Sequence, residues 1–535
     1  MRLSTTFSFG VILLMPFLTL AQTGPGGVGS SSSNVLWLRP DAGLTLNGTK
    51  VMSWSDGSGN GNHAAQSTNA ARPVRENAQV NGYPALLFDG SDDELIVPDA
   101  NSLDLTSWHQ FIVVRPKVQK DYNAWLVKGD DGTENYEMLS YSDGNLHMPV
   151  YWTNNTRTPP SSPGGQVNTS TFEIIEYSYS ASTGRTAYRN GAQIYTDSEN
   201  KTPKINNRPL VIGNEASTSG RFVDGHIAEV ILYNTVLNSA QRIILLNHLA
   251  AKYGRTLASN DLYTGDDAAS GNYDHEVAGI GRVNASNIQS DSKGSGRVRI
   301  SSSNLTNNNR FLFWGHNGGA DGPSGILDLP LGVLGRWARE WRVSEVNTFG
   351  VAADVGNVNI AFDLSGLGLV TASHLRLLVD SDDDGVFADE SPISGASLVG
   401  GLFQFSNVAN LVNGRKFTLG SINLLLTPLP IELLGFDVRP EGADQARLHW
   451  ATASEQNNAY FTLQRSTDLQ NWRTLAILEG AGNSHSRIDY DVLDPAPEQG
   501  TAYYRLGQTD HDGTTTWSDQ VPFTLAYRYT LWPNP

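Results

Sequence analysis

The 535-residue chain contains no cysteine. No disulfide framework can hold it, so a stable fold must rest on large apolar cores or on bound ions. Positive charge is also scarce. Against 54 aspartates and glutamates stand 37 lysines and arginines, a net charge of −17 at pH 7. That balance argues against a nucleic-acid partner and against an anionic membrane surface. After the opening segment no apolar run reaches bilayer-spanning length, so no membrane span is expected. Long helices are excluded by punctuation: 53 glycines, 24 prolines and abundant Asn, Ser and Thr cut the chain into short apolar runs. What remains is the pattern of an all-β protein.

The chain opens MRLSTTFSFGVILLMPFLTLAQ. Arg2 supplies a positive flank, Phe7 to Leu20 an apolar run, and Thr19-Leu20-Ala21 a cleavage site of small residues before Gln22. Residues 1–21 read as a signal peptide, the run being too short to anchor in a bilayer. An exported mature chain of about five hundred residues is expected to hold three or four domains.

Residues 34–255 read as a two-sheet sandwich. VLWLRPDAG (35–43), VMSWSDGSGNGNHAAQ (51–66), PALLFDGSDDELIV (84–97), QFIVVRPK (110–117) and TFEIIEYSYS (171–180) are strand-like runs ended by turns, the last two alternating like half-buried strands. In RTAYRNGAQIYTD (185–197), Asn190-Gly191 between two β-rich runs predicts a hairpin. One helix is predicted in NTVLNSAQRIILLNHLAAKYG (234–254), capped by Asn238 or Ser239, carrying Ile243, Leu246 and Leu249 at helical spacing and stopped by Gly254. It is expected across the sandwich edge. LWLRPDAG, SWSDGSGNGNHAAQ, PALLFDGSDDELIV and GHIAEVILYN…AAKYG resemble the laminin-G-like, concanavalin A-like domains of secreted bacterial proteins. The resemblance implies a jelly-roll sandwich whose usual role is glycan or protein binding, on a fold that some enzymes share.

A sandwich glycosidase would place carboxylates at alternate residues of one strand, so that one attacks while another protonates the leaving group. The nearest match, Glu173 and Glu176 in EIIEY, is spaced by three and points to opposite faces; a solvent-facing glutamate beside a capping one is the expectation. Glu229 stands alone. No catalytic residue is therefore assigned. Asp89, Asp92 and Asp93, Asp130 and Asp131, and the DGSGNGN loop (56–62) gather oxygens as calcium prefers, although ordinary turns need the same residues. Trp152 suits either a sugar-stacking face or the core.

Residues 262–423 read as a second β-rich domain. YDHEVAGIGR (273–282) begins like a zinc motif, but the second histidine a zincin needs would fall at 279, which is glycine, so zinc is rejected. His275 and His316 can still meet in space as structural histidines. In RWAREWRV (336–343) arginine stems are expected on the indoles. The sharpest motif is LRLLVDSDDDGVFADES (375–391). A strand delivers Asp380, Asp382 and Asp384 at alternate positions before Gly385, whose turn can wrap an ion; Val386 can offer its carbonyl. The closing acid of a helix-loop-helix calcium hand would fall on Ser391, with Asp389 and Glu390 arriving early. The expectation is a shorter calcium loop built on Asp380, Asp382, Asp384, Val386 and Asp389, because so many adjacent acids repel one another without a cation. HEVAGIGR, FWGHN and REWRV together resemble a domain of unknown function that follows laminin-G-like domains in secreted Bacteroidetes-type proteins.

Residues 430–527 read as an immunoglobulin-like sandwich after a linker at 423–430. Leu448 and Trp450 share one face, as do Phe461 and Leu463, and TAYYRLGQTDHDGTTTWSD (501–519) predicts a hairpin around Asp512-Gly513. Asp510, His511 and Asp512 are read as its tip. LPIELLGF, LHWATASEQNN, FTLQRSTDLQNW and YYRLGQTDHDG resemble the fibronectin type III-like module that precedes the carboxyl-terminal sorting domain of proteins exported by type IX secretion. LWPNP, within 529–535, is similar to the opening of that sorting domain, so the sequence is expected to continue past Pro535.

Together these features predict an exported, non-catalytic, adhesin-like protein, secreted or held at the outer-membrane surface of a Gram-negative bacterium. It would bind a polysaccharide or an extracellular protein, with structural Ca2+ stiffening its β domains, and the missing sorting domain would engage the type IX machinery. The alternative is a glycoside hydrolase acting through the concanavalin A-like domain.

Overall fold

Short apolar runs separated by Asn, Asp and Gly leave little room for anything but strands and turns, and the computed structural model is built that way. It describes residues 23–525 apart from 131, 159–160, 216–219, 320–327, 366, 368–369, 410, 424–432, 443, 453–454, 485–487 and 511–514. The signal peptide, the 423–430 linker past Asn423, Asp131, His511, Asp512 and the LWPNP segment all lie outside the described residues. The fold is all-β. Among the described residues there is one α-helix, Ser239–Tyr253, and no helix long and apolar enough to cross a membrane.

The first sandwich is a continuous antiparallel run of strands closed over a core that includes Trp54, Trp108, Trp125 and Trp152. Trp152 is thus core, with no exposed ring to offer a sugar. The Asn190-Gly191 hairpin forms as predicted: Gly184–Arg189 pairs with Ala192–Thr196, and both turn residues take positive φ (46° and 80°). The expectation of half-buried strands is corrected. Trp108–Pro116 and Glu173–Ser180 are buried on both faces almost throughout. Ile112 and Val114 point into the sandwich core, whereas Phe111 and Val113 join a second apolar cluster.

The helix explains that second cluster. Asn238 caps it with a full capping box to Gln241, and Gly254 ends it at φ 57°. It does not lie across the sandwich edge. It is packed between the outer face of the first sandwich and the next sheet, which is why it is apolar nearly all round. Ile243, Leu246 and Leu249 are buried, as their spacing predicts.

The next region pairs a seven-stranded sheet with a five-stranded one around Trp314, Trp337, Trp341 and Phe417. His275–Asn284 lies beside Arg310–His316 with Gly279 opposite Phe313. A Cβ at Gly279 would sit 2.8 Å from the Phe313 ring and 3.4 Å from helix residue Ile244. The glycine that excludes a zinc motif therefore admits the helix. Trp337 and Trp341 pack on each other and on Phe362, and Trp341 stacks on Phe417. The arginine stems do not cover these indoles: Arg336 stacks over Phe387, 4.7 Å from its centroid.

The last region sets a three-stranded sheet against a five-stranded one. Leu448, Trp450, Phe461 and Leu463 share its core, as their alternation predicts. Gly500–Asp510 and Thr515–Trp517 form the antiparallel arms of a hairpin whose tip lies outside the described residues.

Candidate functional site

The predicted calcium residues do converge. Strand Leu375–Asp380 pairs with Lys416–Ser421 and ends on Asp380, which is fully buried. Gly385 turns the loop at φ 86°. One carboxylate oxygen from each of Asp380, Asp382 and Glu390 lies within 4.8 Å of the others, and the same holds for Asp382, Asp384 and Asp389. Glu390, outside the predicted set, thus joins it; it is held by the Ser381 N–H and hydroxyl. Val386 is exposed, and its N–H donates to Asp384 Oδ1 at 2.8 Å. An all-oxygen set of this kind suits a hard cation. Repulsion among these acids is met in part by cations of the protein itself. Lys416 Nζ lies 3.3 Å from Asp380 Oδ2 and 3.5 Å from Asp383, and Arg342 reaches Asp383 at 3.2 Å. Asp380 Oδ1, by contrast, is buried with no hydrogen-bond partner.

The other acidic turns divide. Asp56 is consumed by its own loop, accepting from the backbone N–H groups of Trp37, Ser58 and Asn62 and from the Ser58 hydroxyl. Asp130 pairs with Arg208 at 3.0 Å. Asp89, Asp92 and Asp93 do cluster, and burial together with the charge of Asp89 pushes the Asp93 carboxyl up to about 6.

The glutamates weighed as catalytic are all buried, which corrects the expected solvent-facing role. Glu176 is gripped by Arg242 Nε and Nη2 at 2.6 and 2.8 Å. Burial pushes its carboxyl up, but Arg242 and His109 outweigh that and hold it low. Glu173, on the opposite face, is held by Asn168, Thr171 and Asn190. Glu229 receives Lys252 at 2.9 Å, the Tyr253 hydroxyl at 2.6 Å and the Trp37 indole N–H at 2.7 Å. These three carboxylates fix the helix and nearby turns to the sandwich. His275 and His316 do meet, with ring centroids 5.3 Å apart.

A second group of buried glutamates gathers around two other arginines, Arg157 and Arg221. Glu134, Glu137 and Glu215 are completely buried. In strand Tyr136–Ser140 the rings of Tyr136 and the side chain of Met138 enter the core, so Glu137 stands on the other face of the sheet. Arg157 meets Glu134 at 2.6 Å, and Arg221 pairs with Glu215. Neither carboxyl oxygen of Glu137 has a hydrogen-bond partner. Burial, followed by the charges of Glu215 and Glu134, drives its carboxyl well above the ordinary range, and Arg157 and Arg221 offset only part of this. The nearby His147 is lowered to about 4 by burial and the same two arginines. The Glu137 carboxyl is thus pushed toward its neutral form beside two arginine-bound carboxylates. A carboxyl raised by its surroundings beside other carboxylates is one of the parts from which a general acid–base pair is built. Sequence reading missed the group because Glu215, Arg157 and Arg221 come from segments distant from Glu134 and Glu137. The one local signal is an acid between Tyr136 and Met138 where a two-faced strand must turn it from the core.

With this geometry in place, the class of the first sandwich can be stated. Residues 89–241 match the model of the concanavalin A-like lectin/glucanases superfamily. Residues 245–415 match a domain of unknown function, DUF8202. No curated protein matches the chain. Among solved structures, the chain is similar to domain 4 of AbnA, a GH43 extracellular arabinanase from Geobacillus stearothermophilus, in complex with arabinotriose. The identity is 14%, covering 40% of this chain and 96% of that one, with a TM-score of 0.29. The binding domain of Paraclostridial Mosquitocidal Protein 1 aligns at 12% identity over 70% of this chain and 92% of its own, with a TM-score of 0.33. The binding domain of Botulinum neurotoxin DC in complex with SialylT aligns at 14% identity over 75% and 97%, with a TM-score of 0.31. Likenesses this distant carry no argument about this chain's ligand.

Proposed function

We propose that the protein is an exported, adhesin-like surface or secreted molecule that binds a glycan or an extracellular protein through its first sandwich. The observation that carries this is the match of residues 89–241 to a superfamily of lectins and glucanases. The later β regions act as spacers, and the loop at 380–390 takes up calcium. Support for the ion is the oxygen-only set and the buried, unpartnered Asp380 Oδ1. Export is taken to use the type IX route, in keeping with the sequence resemblances of the last region, 430–535. The full chain should be tested on a glycan array and in a pull-down on cell-wall material, both in calcium; two blanks would sink the binding role.

One observation favours a second reading, a glycoside hydrolase. Burial and the charges of Glu215 and Glu134 push the Glu137 carboxyl up, toward its neutral form. In that reading substrate entry must uncover the completely buried cluster before Glu137 protonates the departing glycosidic oxygen and one of its neighbours serves as base or nucleophile. Release of reducing ends from plant or algal polysaccharide, lost in Glu137→Gln, would reverse the ranking.

A further inference from the structure

The two modules joined by the helix leave a cleft of about 300 Å³ between them, at the small end of the range for ligand pockets. Its walls come from both sides. Arg39, Tyr83 and His248 belong to the first sandwich and its helix; Ser295, His316 and Arg339 belong to the second. Most charged groups here are already committed. Lys252 is bound by Asp41 and Glu229, both at 2.9 Å. Glu276 holds His316 Nε2 at 3.1 Å, and His316 Nδ1 accepts from the Gly318 N–H, so its tautomer is fixed. Glu276 keeps this position from a left-handed backbone (φ 52°), a conformation that costs a non-glycine residue energy and marks sites where strain is maintained by the surroundings.

Three groups facing the cleft are not committed. The Arg39 guanidinium stacks on Trp37 at 4.9 Å and makes no hydrogen bond among the described residues. His248 is 4% exposed; its Nδ1–H donates to the Val277 carbonyl at 2.8 Å, leaving Nε2 as a buried lone pair with no partner. The Ser295 hydroxyl likewise has no hydrogen bond among the described residues. A complementary ligand must bring one anionic group for a single planar guanidinium fork and a hydroxyl donor for the imidazole lone pair. A phosphate dianion fits poorly, because Asp41 and Glu276 stand on the same walls and already feel the Arg39 charge. A simple carboxylate such as acetate has no hydroxyl to offer.

We propose that this cleft binds an acidic sugar residue of the uronate class, with its carboxylate on Arg39, hydroxyls on His248 Nε2 and Ser295, and its ring against Tyr83. The site is separate from the sandwich cluster, so it stands whether or not the first sandwich binds glycan.

The test is calorimetric titration of the full chain with galacturonate, with galactose, acetate and inorganic phosphate as comparators. Saturable galacturonate binding is expected, at least about tenfold tighter than any comparator, since the charge-assisted fork and the hydroxyl contact are each worth that order. Arg39→Gln should weaken it by about tenfold or more and Ser295→Ala by about threefold. If Arg39→Gln fails to fold by circular dichroism, Ser295→Ala and Arg39→Lys decide, the latter keeping charge but losing the fork. Absence of galacturonate binding, equal binding of acetate or phosphate, or full affinity in the folded cleft variants would each overturn the proposal. A blank glycan array alongside intact galacturonate binding would remove the sandwich reading and leave this one standing.

Discussion

Carboxylates gather in two places that are built in opposite ways. The loop at 380–390 takes its acids from consecutive residues, and Asp382, Asp384 and Asp389 are exposed. Water screens them, and Lys416 and Arg342 stand by. The cluster of Glu134, Glu137 and Glu215 joins one short segment to a residue some eighty positions on and is completely buried. There, solvent gives no help, so each charge must be met by an arginine or removed by a proton. Glu134 and Glu215 take the first course, and the Glu137 carboxyl is pushed toward the second. An exposed acidic string can wait for an ion, whereas a buried one must be neutral as built.

The sharpest way to break this contrast is to remove one arginine from the buried group. Arg221→Ala removes the cation paired with the buried Glu215 and should cost about 3–5 kcal/mol, read by urea unfolding of the full chain. A loss below that of an ordinary surface pair would mean that water reaches the cluster after all. Calcium probes the other side. If the loop takes the ion, calcium at a hundred times its Kd should stabilise the folded state by about 2.7 kcal/mol, seen as a higher melting temperature that EDTA reverses. Asp382→Ala should abolish the rise and Glu137→Gln should not. An identical melting curve with and without EDTA would discard calcium.

The proton on Glu137 makes a third difference. Its folded pKa is raised above the unfolded value of about 4.3, so the folded state holds the proton more tightly. The resulting stability is full below that value and is lost as pH rises through the raised folded pKa. Over that window wild type should lose up to about 1.4 kcal/mol per pH unit relative to Glu137→Gln. Parallel stability–pH curves for the two proteins would show that Glu137 is not the group that holds the proton.

These two sites also mark what the residues reveal before folding. The acidic loop was legible because its chemistry is local: alternate aspartates and a glycine lie in one string, and folding only added Glu390 and the opposing Lys416. The Asn190-Gly191 hairpin and the Asn238 cap were legible for the same reason. The position of the helix was not. Its apolar girth signals burial on two sides, but only the missing Cβ at Gly279 and the Phe313 ring show what lies on the second side. Likewise Glu176 and Glu229 look like spare acids until Arg242 and Lys252, a helix away, arrive over them. Long-range pairing settles which acids are structural, and a strand's own spacing is silent about it.

The smallest effect tests whether the protein's cations and calcium compete for the same loop. Arg342 is bonded to Asp383 at 3.2 Å, with Asp383 exposed and Arg342 half-covered. Such a pair contributes about 1 kcal/mol or less, so Arg342→Ala should hardly change unfolding without calcium. With calcium the sign should turn. Removing a positive charge beside Asp383 makes the loop more attractive to a divalent cation, and affinity should rise about two- to fivefold, the equivalent of one exposed pair. Isothermal titration with calcium reads this directly. Weaker calcium binding in Arg342→Ala would show that Arg342 orders the loop for the ion, and the two roles proposed for charge at this loop, placeholder and competitor, would have to be exchanged.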